Sequence, residues 1–175
     1  MQYLDVISHH NFCLTEKRHE NELPILKCHY FRDQIQKLML QVEDIRGRLS
    51  TMPTQQSLQE IRVAHNKHAK LISKTVEYFS HAFHLSIKGK YISYIKERVS
   101  LNTLQYELGK LISASIHEVG NMVGLNVPEA DTSAIESDQK TSEDFVKNIK
   151  NMKAEGKSEK EIYKSYLEME YGNDS

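Results

Sequence analysis

An unbroken alternation of three- and four-residue steps between apolar positions is the feature of this chain that most constrains its fold. Between Pro24 and Ser50 these positions are Cys28, Phe31, Ile35, Leu38, Val42, Ile45 and Leu49. An α-helix has about 3.6 residues per turn, so this spacing places all of these side chains on one stripe. Such a stripe is buried against a neighbouring helix, and the segment therefore predicts a long helix in a bundle.

Similar spacing continues through most of the first two thirds of the chain. It predicts a short helix over residues 3–18, a helix over residues 55–87 and, after Gly89, a long helix that ends near Gly124. The third of these four helices has a stripe formed by Leu58, Ile61, His65, His68, Ile72, Thr75 and Phe79. With only 7 Gly, 3 Pro and no Trp, the composition does not favour a sheet protein. We expect an all-α fold, an antiparallel helical bundle over residues 1–124 with its last two helices forming a long hairpin.

The remaining residues divide into two parts with different composition. Residues 129–141 offer little to bury, and we predict a flexible linker over residues 125–141. Ser142 and Ser158 each precede acidic residues in the pattern of a helix N-cap, and Gly156 lies between the two segments. Residues 142–175 are therefore predicted to form a small acidic helical hairpin.

Charge is distributed unevenly although the whole chain has a net charge of only -1. Residues 51–100 contain 8 Lys+Arg and 3 Glu, whereas residues 128–175 contain 7 Lys and 12 Asp+Glu. Two interpretations follow: either the acidic tail folds back on the long hairpin, or each region meets a different partner.

The chain shows no pattern of a secretory signal or a membrane span. Residues 1–10 lack a basic start and an apolar run, and no window approaches 18 consecutive apolar residues. Two cysteines, Cys13 and Cys28, are too few for a disulfide framework and fit a reducing compartment. We therefore expect a cytoplasmic protein without a membrane span.

Histidine is the residue type that most suggests a metal site, because the chain contains 9 His. His65 and His68 lie three residues apart on one helical face, and His10 and Cys13 repeat this spacing, which suits two ligands of one zinc or iron ion. Cys28 is the fifth candidate, although its position in a bundle excludes one site that uses all five residues. The alternative is that His65 and His68 form hydrogen bonds between helices and set their register.

An early His, a Cys that opens a helix and a later helix with paired His together resemble the zinc-sensing helical bundle of chemoreceptors. The resemblance implies a metal-binding sensory bundle. The later pair here is His-x-x-His rather than His-x-x-x-His, and the aromatic motif that follows the Cys in that family is absent after Cys28. The chain is therefore not assigned to that family.

A further motif, His117-Glu118-Val119-Gly120-Asn121, resembles the H-E-x-x-N box of sensor-kinase dimerisation helices. The resemblance implies that His117 accepts a phosphoryl group, Glu118 tunes its basicity and Asn121 orients a water molecule. It supports a second alternative function, a phosphotransfer or phosphatase signalling protein.

Basic and aromatic side chains follow the predicted long hairpin away from its apolar stripe. They are Lys67, Lys70, Lys74, Lys88, Lys90, Tyr91 and Tyr94. This set suits a protein partner, a nucleic acid or an anionic surface, and residues 62–98 are the predicted binding region.

No catalytic motif accompanies these patterns, so we expect a non-enzymatic protein without an obligatory cofactor. Because the first predicted helix is shorter than the hairpin, part of the hairpin is expected to keep an uncovered apolar face. The sequence therefore favours a protein–protein interaction module, an adaptor, chaperone-like or regulatory bundle that self-associates. The metal-binding sensory bundle is the first alternative.

Overall fold

Five helices form the part of the chain that the computed structural model describes, which comprises residues 23–52, 54–81, 87 and 89–172. In chain order they are α1 (Leu23–Gly47), α2 (Thr54–Ser80), α3 (Tyr91–Met122), α4 (Ser133–Ala154) and α5 (Glu159–Tyr171). These residues contain no strand, and the predicted all-α bundle is confirmed. The helix predicted over residues 3–18, with His10 and Cys13, lies outside the described residues.

The helix α3 is the centre of the fold, because α1, α2, α4 and α5 all pack against it. The stripe predicted for α1 is buried from Cys28 to Ile45, and Leu49 lies beyond the end of the helix and is partly buried. Alternating three- and four-residue steps keep this stripe facing α2 and α3 over the whole length of α1.

The buried stripe of α2 differs from the predicted one in its middle part. Ala64 and Leu71 pack into the core, whereas His65 and Ile72, which were predicted to lie there, are exposed. Steps of three and four residues also connect Ile61 to Ala64 and His68. Two neighbouring stripes of α2 therefore fit the apolar spacing, and the spacing alone does not say which of them is buried. The predicted end at residue 87 is also wrong, because α2 ends at Ser80.

The helix α4 begins at Ser133, nine residues before the predicted start at Ser142. The expected linker over residues 125–141 is therefore corrected, since its second half is helical. Hydrogen bonds connect this part of α4 to α3. Tyr106 Oη donates to Glu136 Oε1 at 2.7 Å, and Gln139 Nε2 donates to Thr103 Oγ1. Apolar periodicity cannot reveal a segment that is held in this way.

The start of α5 follows the predicted capping pattern. Ser158 Oγ accepts a hydrogen bond from the backbone N–H of Glu161, and Gly156 adopts a φ of 90° that favours glycine. Ile162 and Tyr166 are buried against the rest of the fold, so the acidic tail folds back on α3. This is one of the two interpretations of its charge, while the division of the chain into domains stays a prediction.

No helix within the described ranges combines the length and the apolar character that crossing a bilayer requires.

Candidate functional site

A cleft of about 460 Å³ lies between α2, α3, α4 and the end of α5. Its floor is the middle of α3, its walls are α2 and α4, and Glu170 near the end of α5 lines one side. Gly109 has no side chain and Ser113 has a small one, so the floor carries little side-chain volume of its own. A cavity of this size is within the range that holds small molecules.

His68 is the buried polar side chain that lines this cavity from α2. Its side chain is only 6% exposed, and its Nε2 atom has no hydrogen-bond partner within the described structure. The ring lies against α3, since a Cβ atom on Gly109 would be 3.3 Å from His68 Cε1. An unpartnered buried nitrogen costs free energy, about 1–3 kcal/mol for a typical polar group.

Burial also decides the charge of His68. Removal of the ring from water lowers its pKa below the ordinary value of 6.5, and the nearby His65 lowers it further by charge repulsion. A hydrogen bond to the backbone of Gln105 acts in the opposite direction. The imidazole is therefore neutral at pH 7, and Nε2, the nitrogen without a partner, is a hydrogen-bond acceptor.

The amide side chains on the floor already have partners. Gln105 Nε2 donates to Thr75 Oγ1 at 3.0 Å, and Thr75 Oγ1 donates to the backbone oxygen of Leu71 at 2.7 Å. Asn102 Oδ1 accepts from Arg98 Nη1 at 3.1 Å. The Gln105–Thr75 bond connects α3 to α2, whereas the Nε2 atom of His68 on the α2 wall has no partner among the described residues.

The two walls have different chemical character. On the α2 side Ile72 is apolar and exposed, and Ile135 of α4 is apolar and exposed opposite to it. The α4 and α5 sides also supply three carboxylates, those of Asp131, Asp138 and Glu170. The cavity therefore combines an apolar lining with an excess of negative charge.

The metal candidates do not come together in the described structure. Cys28 lies beside Arg98 and Glu97 near the start of α3, whereas His68 lies beside Gly109, about three turns further along that helix. Burial raises the pKa of the Cys28 thiol to about 12, which disfavours the thiolate that metals bind. His65 is exposed, and the part of the chain that the structure describes contains no cluster of three metal-ligating side chains.

The residues of the predicted basic stripe differ in their exposure. Lys67, Lys70, Lys74 and Lys90 are exposed, while Lys88 lies outside the described residues. Tyr91 is half-buried, with its ring 5.1 Å from that of Tyr163, and Tyr94 is only 3% exposed. The prediction that Tyr94 offers a binding surface is therefore wrong, because α5 packs over this part of α3.

The motif from His117 to Asn121 makes contacts within the chain. His117 Nδ1 lies 2.6 Å from the backbone oxygen of Val127, and Asn121 Oδ1 accepts from the backbone N–H of the same residue at 3.3 Å. Glu118 pairs with Arg46 of α1 at 3.1 Å. These contacts hold the segment that follows α3 against its last turns, and a phosphoryl-transfer role stays a prediction.

Sequence reasoning identified His68 but missed the residues around it. Asn102, Gln105 and Asp138 carry no motif, and Ile135 lies in the segment that was interpreted as a linker. The one available signal was the presence of two small residues, Gly109 and Ser113, four residues apart in the middle of a long helix. Such spacing places both residues on one helix face, and it marks a part of that face with little side-chain volume.

Comparisons of the chain with protein-family models, with curated proteins and with solved structures find no match.

Proposed function

We propose that this chain is a non-enzymatic interaction module that self-associates through the exposed side of α2. One observation carries the proposal. His65, Ala69, Ile72, Ser73 and Val76, here called the outer stripe, are all exposed and lie on one side of α2. Val76, which lies near the end of α2, is 63% exposed although it is a β-branched apolar residue.

A second copy of the chain suits this surface because the outer stripe contains no Lys, Arg, Asp or Glu. Two identical stripes can therefore meet without repulsion between like charges, and Ala69 and Ser73 allow the helices to approach closely. In an antiparallel pair related by a two-fold axis, Ala69 lies level with Ile72 of the other copy, and His65 lies level with its Val76. Each exposed apolar side chain then gains a neighbour.

Charges at the two ends of the stripe agree with this arrangement. Arg62 and Glu77 are exposed on α2, and neither forms an ion pair with another residue that the structure describes. In the antiparallel pair Arg62 of one copy comes about level with Glu77 of the other, within roughly one turn of helix. Opposite charges at this position favour the pairing and its direction.

Light scattering after size exclusion tests the proposal on the full chain. We expect the wild-type chain to have the mass of a dimer, and Val76→Glu to weaken the dimer at least about tenfold because it places a charge in an apolar contact. Val63→Glu is the matched control, since Val63 is 42% exposed on the same helix but lies toward α1. A monomeric wild type, or equal effects of both changes, would overturn the proposal.

A further inference from the structure

The first half of α4 and the residues before it lie on α3 with very little burial. None of residues 129–141, here called the strap, is buried, and only Thr132 and Gln139 are half-buried. Ile135 is the one large apolar residue of the strap, and it is 55% exposed. Burial of apolar surface is the main source of stability in a folded chain, so the strap gains little from packing.

Contacts between polar side chains hold the strap on α3. Glu136 makes two of them, because its carboxylate accepts from Tyr106 Oη at 2.7 Å and lies 3.9 Å from Lys110 Nζ. Gln139 Nε2 adds a hydrogen bond to Thr103 Oγ1. Water competes for exposed contacts of this kind, and each of them contributes only a small part of the stability of a fold.

Unfilled space lies on both sides of the strap. The cleft of about 460 Å³ reaches it from the α2 side, where Ile135 and Asp138 line it. A second cleft, of about 310 Å³, lies on the opposite side and is lined by Glu136 and Lys140 of the strap and by Glu107 of α3. Close packing resists local movement, because side chains that move apart lose their contacts. The strap meets little of this resistance on either side.

Firmer contacts begin at both ends of the strap. Before it, Val127 is held against the last turns of α3 by His117 and Asn121. After it, the side chains of α4 enter the interior of the fold, since Ser142 and Ile149 are both buried. These two anchors limit any movement to the residues between them.

We infer that the strap opens from α3 as a local unit while both anchors and the rest of the bundle stay in place. Its first helical turn has few partners, because the Thr132 side chain does not cap the backbone there and Asp131 Oδ1 accepts only from the N–H of Ser133. Opening joins the two clefts into one groove along the middle of α3 and exposes the ring of Tyr106, which is half-buried in the closed form. The fold therefore contains a movement that uncovers α3 without unfolding of the core.

Limited proteolysis of the full chain tests this inference within a single helix. Lys140 lies in the strap, Lys147 and Lys150 lie in the anchored part of α4, and all three are exposed. A protease cuts a helix only after the helix opens, so the initial rate at each lysine reports local opening rather than exposure. We expect trypsin to cut after Lys140 at least about tenfold faster than after the other two, as followed by mass spectrometry. Equal rates at the three lysines, or resistance at Lys140, would overturn the inference.

Hydrogen exchange of a variant tests the contacts that close the strap. Tyr106→Phe removes the hydroxyl group that donates to Glu136 but keeps the ring. We expect exchange of the backbone amides of residues 137–141 to become about threefold to tenfold faster, while residues 148–152 stay unchanged. Tyr163→Phe is the matched control, because it removes a phenol oxygen from α5 beside the first turns of α3, and it should change neither segment. An unchanged rate in the strap of Tyr106→Phe, or an equal change in both segments, would contradict the inference.

Discussion

The α2–α3 interface buries a polar side chain at two places that differ in how they are covered. Arg98 lies near the start of α3, here called the closed end, and His68 of α2 lies beside the middle of α3, here called the open region. The Arg98 guanidinium carbon is 4.1 Å from the centroid of the Phe79 ring, and Nη1 donates to Asn102 Oδ1. Arg98 Nε and His68 Nε2 both lack a hydrogen-bond partner among the described residues, but Arg98 lies against the Phe79 ring, whereas His68 borders a cavity.

The position of α5 explains this difference. Its buried Tyr166 and the nearby Tyr163 cover the first turns of α3, where the ring centroids of Tyr94 and Tyr163 are 6.0 Å apart. The helix ends at Tyr171, just as it reaches the level of the cavity, which Glu170 lines. The interface near the start of α3 is therefore closed by aromatic packing, whereas the interface beside His68 is left open.

The largest expected effect concerns the reactivity of Cys28 at the closed end. Because burial raises the pKa of this thiol to about 12, alkylation at pH 8 is expected to be about a thousandfold slower than in unfolded chain. The measurement is labelling by iodoacetamide followed by mass spectrometry, in a Cys13→Ser background with and without urea. Rapid labelling of the folded chain would show that this end is not closed.

The second effect concerns the aromatic cover itself. Tyr166 is a fully buried aromatic residue that contacts Phe145 at a ring distance of 5.9 Å. We expect Tyr166→Ala to lower the free energy of unfolding by about 3–5 kcal/mol, as measured by urea denaturation. Tyr163→Ala is the matched control and should cost less, because that side chain is only half-buried. Equal losses of unfolding free energy in the two variants would show that burial of Tyr166 is not what stabilises this end.

The third effect has the opposite sign and concerns the open region beside His68. His68→Leu removes a buried acceptor without a partner, so we expect the free energy of unfolding at pH 7.5 to rise by about 1 kcal/mol. Urea denaturation measures this gain. A loss of stability instead would show that His68 makes a contact on which the fold depends.

A pH series on the same pair of proteins tests the protonation state of His68. Because burial lowers the pKa of His68 in the folded chain, the unfolded chain takes up the proton more readily, and stability is lost as the pH falls below 6.5. We therefore expect the wild type to lose more stability than His68→Leu between pH 7.5 and pH 5. Parallel losses would show that His68 is not the group responsible.

The smallest effect distinguishes two glycines of α3. A Cβ on Gly109 would lie 3.3 Å from His68 Cε1, next to the cavity, whereas one on Gly120 would lie 2.7 Å from Val127 Cγ2. We expect Gly109→Ala to raise the melting temperature slightly, because alanine favours the helix by up to about 1 kcal/mol and the ring has room to shift. Gly120→Ala should lower it, since Val127 must move. Equal shifts would contradict this picture of the cavity.

The sequence predicted the helical bundle well because apolar spacing directly reports which side of a helix is buried. The stripe of α1 from Cys28 to Ile45 is confirmed residue by residue. The same reasoning failed at His65 because Ala64, a small residue, carries little apolar signal although it is buried. It failed at residues 133–141 because hydrogen bonds to Thr103 and Tyr106, which leave no apolar pattern, connect that part of α4 to α3.

The site was harder to predict than the fold for a related reason. His68 was among the candidates, but the cavity depends on an absence of side-chain volume at Gly109 and on the point at which α5 ends. Neither is visible in a pattern of residue types. The proposed pairing of α2 with a second copy likewise rests on which residues the other helices leave uncovered.

A charge exchange on α2 tests the central claim, self-association through the outer stripe, most directly. Arg62→Glu and Glu77→Arg should each weaken the dimer in sedimentation velocity, because each places like charges at both ends of the antiparallel pair. The double variant Arg62→Glu with Glu77→Arg restores opposite charges, and we expect it to recover the sedimentation coefficient of the wild-type dimer. A double variant that stays as weak as the single ones, or a wild type that sediments as a monomer, would contradict the claim.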